Sequence, residues 1–196
     1  KTVERTGRPA TIKMVNELLD PIGLMDGDSL PVSAFKDIAD GQFETGASAY
    51  EKRGTAVMVP EWSPEACIQC NSCAFVCSHA TIRPFILNQA EVAAAPENIK
   101  LSDAKHAAAD GMKFTMSVSP LDCMGCGECV TVCPMAAKGA LKMVPRESQE
   151  AEQPVFNYLV ENVGKKELKP AFTDKTPIGS QYNQPLLEFS GSCAGC

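Results

Sequence analysis

Apolar residues recur at helical spacing near the start of the chain. Those that share one helical face are Ile12, Val15, Leu18 and Leu19. Pro9 suits a first helical position, and Pro21 stands just past the last residue of the pattern. The pattern therefore predicts one amphipathic helix over residues 9–20.

Residues 23–46 show no sustained apolar period and are rich in Gly, Asp, Ser and Pro. Their large apolar residues occur singly, at Leu30, Val32, Phe35, Ile38 and Phe43. A flexible linker is a poor alternative, because a free chain carries few large apolar residues. We therefore expect an extended connector that is anchored to a neighbour by single side chains.

Short apolar runs in the middle of the chain predict strands over residues 55–60, 82–87, 114–118 and 140–144. Pro84 interrupts the second run, which places that strand at a sheet edge. Residues 88–111, rich in Ala and Lys, predict an inserted helical or loop segment. The order of strand, loop with helix, and strand occurs twice, so the fold class is α+β with a pseudo-two-fold repeat.

The last part of the chain divides into two patterns. Residues 146–169 are predicted to be helical around Val155, Tyr158, Leu159 and Val163. The residues after them are predicted to be open, since helix-breaking residues recur at Pro170, Pro177, Gly179 and Pro185.

Each loop between the predicted strands carries the cysteine spacing C-x2-C-x2-C-x3-C. The first run is Cys67, Cys70, Cys73 and Cys77, and the second is Cys123, Cys126, Cys129 and Cys133. This spacing holds 4Fe-4S clusters in bacterial two-cluster ferredoxins, where the fourth cysteine of each run ligates the cluster of the other run. The expected ligands are Cys67, Cys70, Cys73 and Cys133 for one cluster, and Cys123, Cys126, Cys129 and Cys77 for the other. Each x3-C step fits a short helix that turns its cysteine toward the partner site.

The ten cysteines allow two other interpretations. A secreted disulfide scaffold predicts a short chain with irregular spacings, whereas every cysteine here falls in a C-x2-C unit or its extension. Structural zinc is the stronger rival, but zinc sites bring two separated pairs together and do not repeat a run of four. The spacing favours iron-sulfur clusters and a reducing environment.

Composition narrows the functional class. The chain has 196 residues, 44% of them hydrophobic, so it has room for one or two soluble domains. A net charge of -6 gives no reason to expect nucleic acid as a partner. No apolar run approaches the ~20 residues that span a bilayer, and no signal peptide opens the chain. We expect a soluble, cytoplasmic protein without a membrane partner. Among single residues, we expect His106 to be solvent-exposed.

Both ends suggest a segment of a longer polypeptide. Lys1 is unlike a native first residue, and the chain closes on Cys193 and Cys196. Two cysteines are half of the ligands that a four-iron cluster takes. The sequence therefore predicts that further ligands lie beyond residue 196.

Five stretches together resemble pyruvate:ferredoxin (flavodoxin) oxidoreductase. They are residues 28–35, 50–54, 67–71, 121–127 and 188–196, and the last carries Ser-Gly-Ser-Cys-Ala-Gly-Cys. The resemblance runs in order over nearly the whole chain. One departure is Ser78 after Cys77, where the ferredoxin pattern has proline, as at Pro134 after Cys133.

The resemblance implies a multidomain enzyme that decarboxylates pyruvate oxidatively with thiamine diphosphate, Mg and coenzyme A, and that reduces ferredoxin or flavodoxin. It implies three 4Fe-4S clusters, with Cys193 and Cys196 as partial ligands of the third. The implied segments are 1–8, the end of a preceding domain; 9–47, a small wrapping domain; 48–166, the ferredoxin-like domain; and 167–196, the start of the thiamine-binding domain. It also implies a homodimer whose catalytic residues lie outside this segment.

Two alternatives stay open at this point. A related fusion enzyme would pass the same electrons to a flavin domain and NADP. An independent ferredoxin-type carrier would have no catalysis of its own, and would leave Cys193 and Cys196 without a cluster.

Overall fold

The computed structural model describes residues 5–50, 52, 54–106, 109–164, 166 and 175–183. The chain divides into two compact units, Lys1–Lys52 and Arg53–Cys196. Within the described residues, no helix is both long enough and apolar enough to cross a membrane.

The first unit opens with the predicted helix. It consists of α1 (Pro9–Met14), a π-helical turn (Val15–Leu19) and α2 (Asp20–Gly23), with Val15 and Leu18 buried. The prediction that the helix ends before Pro21 is wrong. The π-helical turn closes with the Asp20 N–H bonded to the Val15 carbonyl, so Pro21 falls in the first turn of α2. Proline is tolerated there because its missing N–H is not needed.

The rest of the first unit is built of short 3-10 turns, at Gly27–Ser29, Val32–Ile38 and Ala47–Tyr50. It is therefore partly helical, where the sequence predicted an extended connector. Its expected apolar anchors are largely exposed within this unit. Val32 is 90% exposed and Phe43 is 52% exposed.

Within the part of the chain that the structure describes, the second unit contains five strands: β1 (Met58–Trp62), β2 (Ile82–Leu87), β3 (Ser102–Asp103), β4 (Lys113–Val118) and β5 (Leu141–Pro145). β1 pairs antiparallel with β5, from Met58 opposite Pro145 to Trp62 opposite Leu141. β2 pairs antiparallel with β4, and β3 extends that sheet on the other side of β4. The four predicted strands are confirmed, although β1 begins three residues later than expected.

Pro84 lies in an edge strand, as predicted. β2 is the first strand in the order β2-β4-β3, and among the described residues it is hydrogen-bonded to no strand other than β4. An edge position has one side on which no ladder bond is required, so the missing N–H of proline is accommodated.

The inserted segment between β2 and β4 contains α4 (Gln89–Ala93) and β3. A capping box starts α4, in which Asn88 and Glu91 satisfy each other's backbone N–H groups. The two-residue strand β3 pairs with Lys113 and Phe114, and the sequence pattern did not predict it.

Helices α3 (Ser72–Phe75) and α5 (Glu128–Thr131) are short and lie within the cysteine loops. The predicted helix after β5 is present as α6 (Glu152–Asn162), whose buried Val155 and Leu159 pack with Leu87. It is shorter than the predicted 146–169, because Arg146–Gln149 form a 3-10 turn and Val163 lies past its last residue in an extended conformation. The predicted open stretch is wrong at Pro177–Asn183, which forms α7. Pro177 stands at the start of α7, where proline favours a helix.

The main core of the second unit lies between the strands and the cysteine loops. Its large members are Trp62, Ile82, Ile86, Phe114, Met116 and Leu141. Trp62 packs edge-on against Phe114, with ring centroids 5.9 Å apart. Four cysteines pack against the same core, namely Cys67, Cys73, Cys77 and Cys133. The cysteine loops therefore contact buried side chains.

Candidate iron-sulfur sites

The first cysteine loop connects β1 to β2. Cys67, Cys70 and Cys73 precede or enter α3, and Cys77 follows the end of that helix. The Cys77 N–H donates to the Ala74 carbonyl at 3.2 Å, which continues the helical turn as far as the cysteine. The predicted x3-C helix is therefore present.

The second cysteine loop connects β4 to β5 and repeats this arrangement. α5 begins at Glu128, and Cys133 follows its end. The Cys133 N–H donates to the Val130 carbonyl at 3.1 Å, at the same offset as in the first loop.

Both loops use the left-handed backbone region at equivalent positions. The φ angles are 61° at Gln69 and 58° at Asn71 in the first loop, and 72° at Gly125 and 79° at Gly127 in the second. This conformation directs backbone N–H groups toward sulfur. Gln69 N lies 3.4 Å from Cys67 Sγ, and Gly125 N lies 3.4 Å from Cys123 Sγ.

Glycine is required at position 125 for a second reason. A Cβ there would lie 2.8 Å from the Met58 carbonyl oxygen, closer than real Cβ contacts. At Gly127 no atom lies within 4 Å of such a Cβ. The second loop thus approaches the backbone of β1 at Gly125.

Four cysteines line one pocket, which opens to solvent. They are Cys67, Cys70, Cys73 and Cys133. The remaining lining is mainly apolar and includes Trp62, Met116 and Leu141. One cysteine of the second run therefore lies with three of the first.

The sulfurs of the other four cysteines interact electrostatically with one another. Burial raises the pKa of the Cys129 thiol to about 12. The sulfurs that add to this increase are those of Cys123, Cys77 and Cys126. Burial also raises the pKa of Cys123, to which Cys77 contributes. Cys77 of the first run is thus close to the second run.

The two groups of sulfurs are also neighbours of each other. Burial raises the pKa of Cys73, and the sulfurs of Cys67, Cys129 and Cys70 increase it further. Cys129 belongs to the second group. The electrostatic interaction between Cys73 and Cys129 therefore shows that the two groups of sulfurs are neighbours.

The donor set suits four-iron clusters. Each group supplies four sulfurs, and these clusters bind cysteine thiolates. Thiolates are unfavourable in a buried site unless positive charge accompanies them, which is why burial raises these pKa values. Among the described residues, no three His, Cys, Asp or Glu side chains gather closely enough to hold a single metal ion.

Several residues around the loops were missed by sequence reasoning. Thr81 donates its backbone N–H to Cys77 Sγ at 3.4 Å, and its hydroxyl lies 3.5 Å from the same sulfur. Gln69 and Asn71 are almost completely buried. The sequence did mark Gln69 and Asn71 as unusual, because they occupy the positions that Gly125 and Gly127 hold in the second run.

His106 is half-buried, which corrects the expectation that it is solvent-exposed. Its Nε2 lies 3.3 Å from the Gln69 carbonyl oxygen, so the inserted segment folds back onto the first loop. Cys193 and Cys196 lie outside the described residues.

Comparison with known proteins agrees with the cysteine pattern. Residues 66–137 match the 4Fe-4S dicluster domain family, and residues 2–56 match a domain of unknown function. The chain therefore contains a 4Fe-4S dicluster domain.

Longer relatives extend the match beyond that domain. Pyruvate:ferredoxin oxidoreductase of Moorella thermoacetica is 49% identical over 184 residues, which are 94% of this chain and 15% of that protein. Pyruvate-flavodoxin oxidoreductase of Enterobacter agglomerans is 46% identical over 196 residues, which are 100% of this chain and 16% of that protein. The mitochondrial pyruvate dehydrogenase (NADP(+)) of Euglena gracilis is 41% identical over 195 residues, covering 10% of its length. Over nearly its whole length, the chain is homologous to one segment of pyruvate:ferredoxin and pyruvate-flavodoxin oxidoreductases.

Proposed function

We propose that this chain is the electron-conducting segment of an enzyme that oxidises pyruvate with coenzyme A to acetyl-CoA and CO2, and that reduces ferredoxin or flavodoxin. The observation that carries the proposal is 46–49% identity to such oxidoreductases across nearly the whole chain. Since the chain spans about 15% of those relatives, catalysis is assigned to other parts of the enzyme.

The proposed ligands are crossed between the two runs. Cys67, Cys70, Cys73 and Cys133 hold one 4Fe-4S cluster, supported by the pocket that these four line. Cys123, Cys126, Cys129 and Cys77 hold the other, supported by the mutual effects of their sulfurs. Each cluster, when bound, supplies a site that takes up and releases one electron.

The backbone around the sulfurs has a defined part in this function. The N–H groups of Gln69, Gly125 and Thr81 point at ligand sulfurs. Hydrogen bonds of this kind stabilise negative charge on the sulfur and so favour the reduced state of a cluster. Of the residues that carry these sulfurs, Cys123 is buried and Cys67 and Cys77 are half-buried.

The ferredoxin-like fold is proposed to have a pseudo-two-fold repeat. Its support is the strand pairing, in which the first strand of each half pairs with the last strand of the other half. The crossed ligands follow the same exchange. Removing either cluster is therefore expected to loosen both halves.

The domain assignment remains our proposal. Residues 1–8 close a preceding domain, 9–47 form a wrapping domain, 48–166 form the ferredoxin-like domain, and 167–196 open a domain for thiamine diphosphate and Mg. Cys193 and Cys196 are proposed as two ligands of a third cluster. A cytoplasmic homodimer with ferredoxin or flavodoxin as acceptor completes the assignment.

A pyruvate:NADP oxidoreductase is the second candidate, because the Euglena gracilis relative shares 41% identity over 97% of this chain. An independent ferredoxin-type carrier is the third. Steady-state assays with reduced ferredoxin, flavodoxin or NADPH as the measured product separate the first two.

Anaerobic iron, sulfide and intact-mass measurements on the full polypeptide test the proposal. Three clusters predict about twelve iron and about twelve sulfide, on a chain several-fold larger than this one. About eight of each on a chain of this size would indicate an independent carrier instead. Zinc without sulfide would refute the cluster assignment altogether.

Two double variants test the crossed ligands. Cys67→Ser/Cys133→Ser should impair one cluster, whereas Cys67→Ser/Cys77→Ser should impair two. Each variant removes two cysteines, so general loosening of the domain affects both alike. Electron paramagnetic resonance shows how many central clusters each variant retains. The same number in both variants would contradict the crossing.

A further inference from the structure

The two cysteine loops differ in what lies on them. Residues 102–106 of the inserted segment fold onto the first loop at Cys67 and Gln69, and Gln69 stands where the second loop has Gly125. Gln69 is the centre of these contacts and is 0% exposed. We call residues 102–106 the latch.

The Gln69 side chain makes three hydrogen bonds to the latch. Its Nε2 donates to Ser102 Oγ at 3.2 Å and to the Asp103 carbonyl at 2.8 Å. Its Oε1 accepts the Lys105 N–H at 2.9 Å. These bonds fix the backbone of Lys105 beside the loop.

The latch brings a cation onto a ligand residue. Lys105 Nζ donates to the Cys67 carbonyl oxygen at 2.5 Å. A long lysine side chain on a surface is ordinarily mobile, but this one is held at its backbone by Gln69 and at its ammonium by Cys67. Lys105 is exposed, and its positive charge is held at the backbone of Cys67, a residue of the first group.

The second cysteine run carries negative charge at two positions. Asp122 precedes Cys123, and Glu128 lies between Cys126 and Cys129. The matching residues of the first run, Ala66 and Ser72, are neutral, and Glu65 lies one position further from Cys67. Adding an electron to a site is favoured by a nearby positive charge and disfavoured by a negative one.

We propose that Lys105, positioned by Gln69, sets the potential difference between the two clusters, so that the cluster held by Cys67, Cys70, Cys73 and Cys133 is the more readily reduced. The proposal rests on the cluster assignment above. When one electron is shared between the two clusters, it then resides on the cluster that includes Cys67. Lys105 is a positioning residue and does not contact substrate.

The test is a redox titration of the full polypeptide under anaerobic conditions, followed by electron paramagnetic resonance. Lys105→Met should lower the midpoint potential of one central cluster, with a tenfold change in the equilibrium between the two, or about 59 mV for a one-electron couple. Lys105→Arg keeps the charge and should retain the wild-type value. The affected signal should be the one that Cys133→Ser alters.

Lys113→Met is the matched control, because it removes the same charge from an ammonium that pairs with Asp103 at 2.5 Å. Unchanged potentials in Lys105→Met, or an equal shift in Lys113→Met, would overturn the proposal while leaving the cluster assignment intact. Failure of the assignment would appear differently, as missing sulfide in the unmodified protein.

Discussion

Replacing Gln69 by glycine would make the first loop resemble the second at this position. The change removes three hydrogen bonds to residues 102–106, at 3.2, 2.8 and 2.9 Å. It also removes a side chain from a left-handed position, with φ at 61°. These two effects have opposite signs, so their sizes decide the outcome.

The lost hydrogen bonds weigh more than the relieved strain. Each contributes about 1 kcal/mol net, so about 3 kcal/mol is lost in total. Glycine recovers about 1 kcal/mol, the penalty that a side chain meets in the left-handed region. The latch should therefore open more readily by about 2 kcal/mol, or about 30-fold. Gln69→Ala keeps the strain and should open the latch by more than 100-fold, from about 3 kcal/mol.

Limited trypsin digestion measures this opening, because the bond after Lys105 lies in the latch. Cleavage rates of transiently opened segments follow the opening equilibrium when closing is fast. Cleavage after Lys142, in β5, reports general unfolding and serves as the reference. Equal cleavage after Lys105 in wild type and both variants would show that Gln69 does not hold the latch. Equal rates in the glycine and alanine variants would refute the strain argument.

Three further changes have defined outcomes. Gly125→Ala should lower iron content and stability by more than Gly127→Ala does. Both changes add about 1 kcal/mol of left-handed strain, but only an alanine at 125 places its Cβ against the Met58 carbonyl, at 2.8 Å. Equal losses would contradict the clash. Asn71→Ala removes the hydrogen bond from its Nδ2 to the α7 backbone at 3.2 Å, so amide exchange in α7 should accelerate about 5- to 10-fold, for a bond of about 1 kcal/mol; unchanged exchange would rule out this anchor. Leu159→Ala, at a side chain with 0% exposure, should destabilise the second unit by about 2–5 kcal/mol, seen as loss of cluster absorbance at lower urea.

The order of strands and cysteine loops was predictable from sequence. Short apolar runs between turn residues, and cysteines at fixed spacing, depend on local geometry and are visible without the fold. Pro84 could be placed at a sheet edge for the same reason, since a missing N–H restricts it wherever it occurs.

Features that depend on distant contacts were not predictable. Pro177 and Gly179 suggested an open chain, yet α7 packs its Ile178 and Tyr182 on the core of the second unit. Tertiary burial here outweighs local propensity. The two-residue strand β3 has no period to detect. Its position depends on Lys113 and Phe114 across the sheet.

The buried amides at Gln69 and Asn71 are an intermediate case. Nothing in their local sequence indicates that they are buried or left-handed. Alignment of the two cysteine runs shows them against Gly125 and Gly127, and this mismatch marks positions where a side chain must offset backbone strain through its own contacts.

The pairing of β1 with β5 governs when the domain can mature during synthesis. Met58 finds its partner only at Pro145, long after the first cysteine run has left the ribosome. At about 5–20 residues per second, the wait is roughly 4 to 17 seconds. Cys133, the proposed fourth ligand, follows Cys73 by 60 residues, so the first three cysteines lack it for about 3 to 12 seconds of that interval. Under this assignment, cluster assembly factors must either wait for the complete domain or protect three exposed thiols from oxygen until it closes.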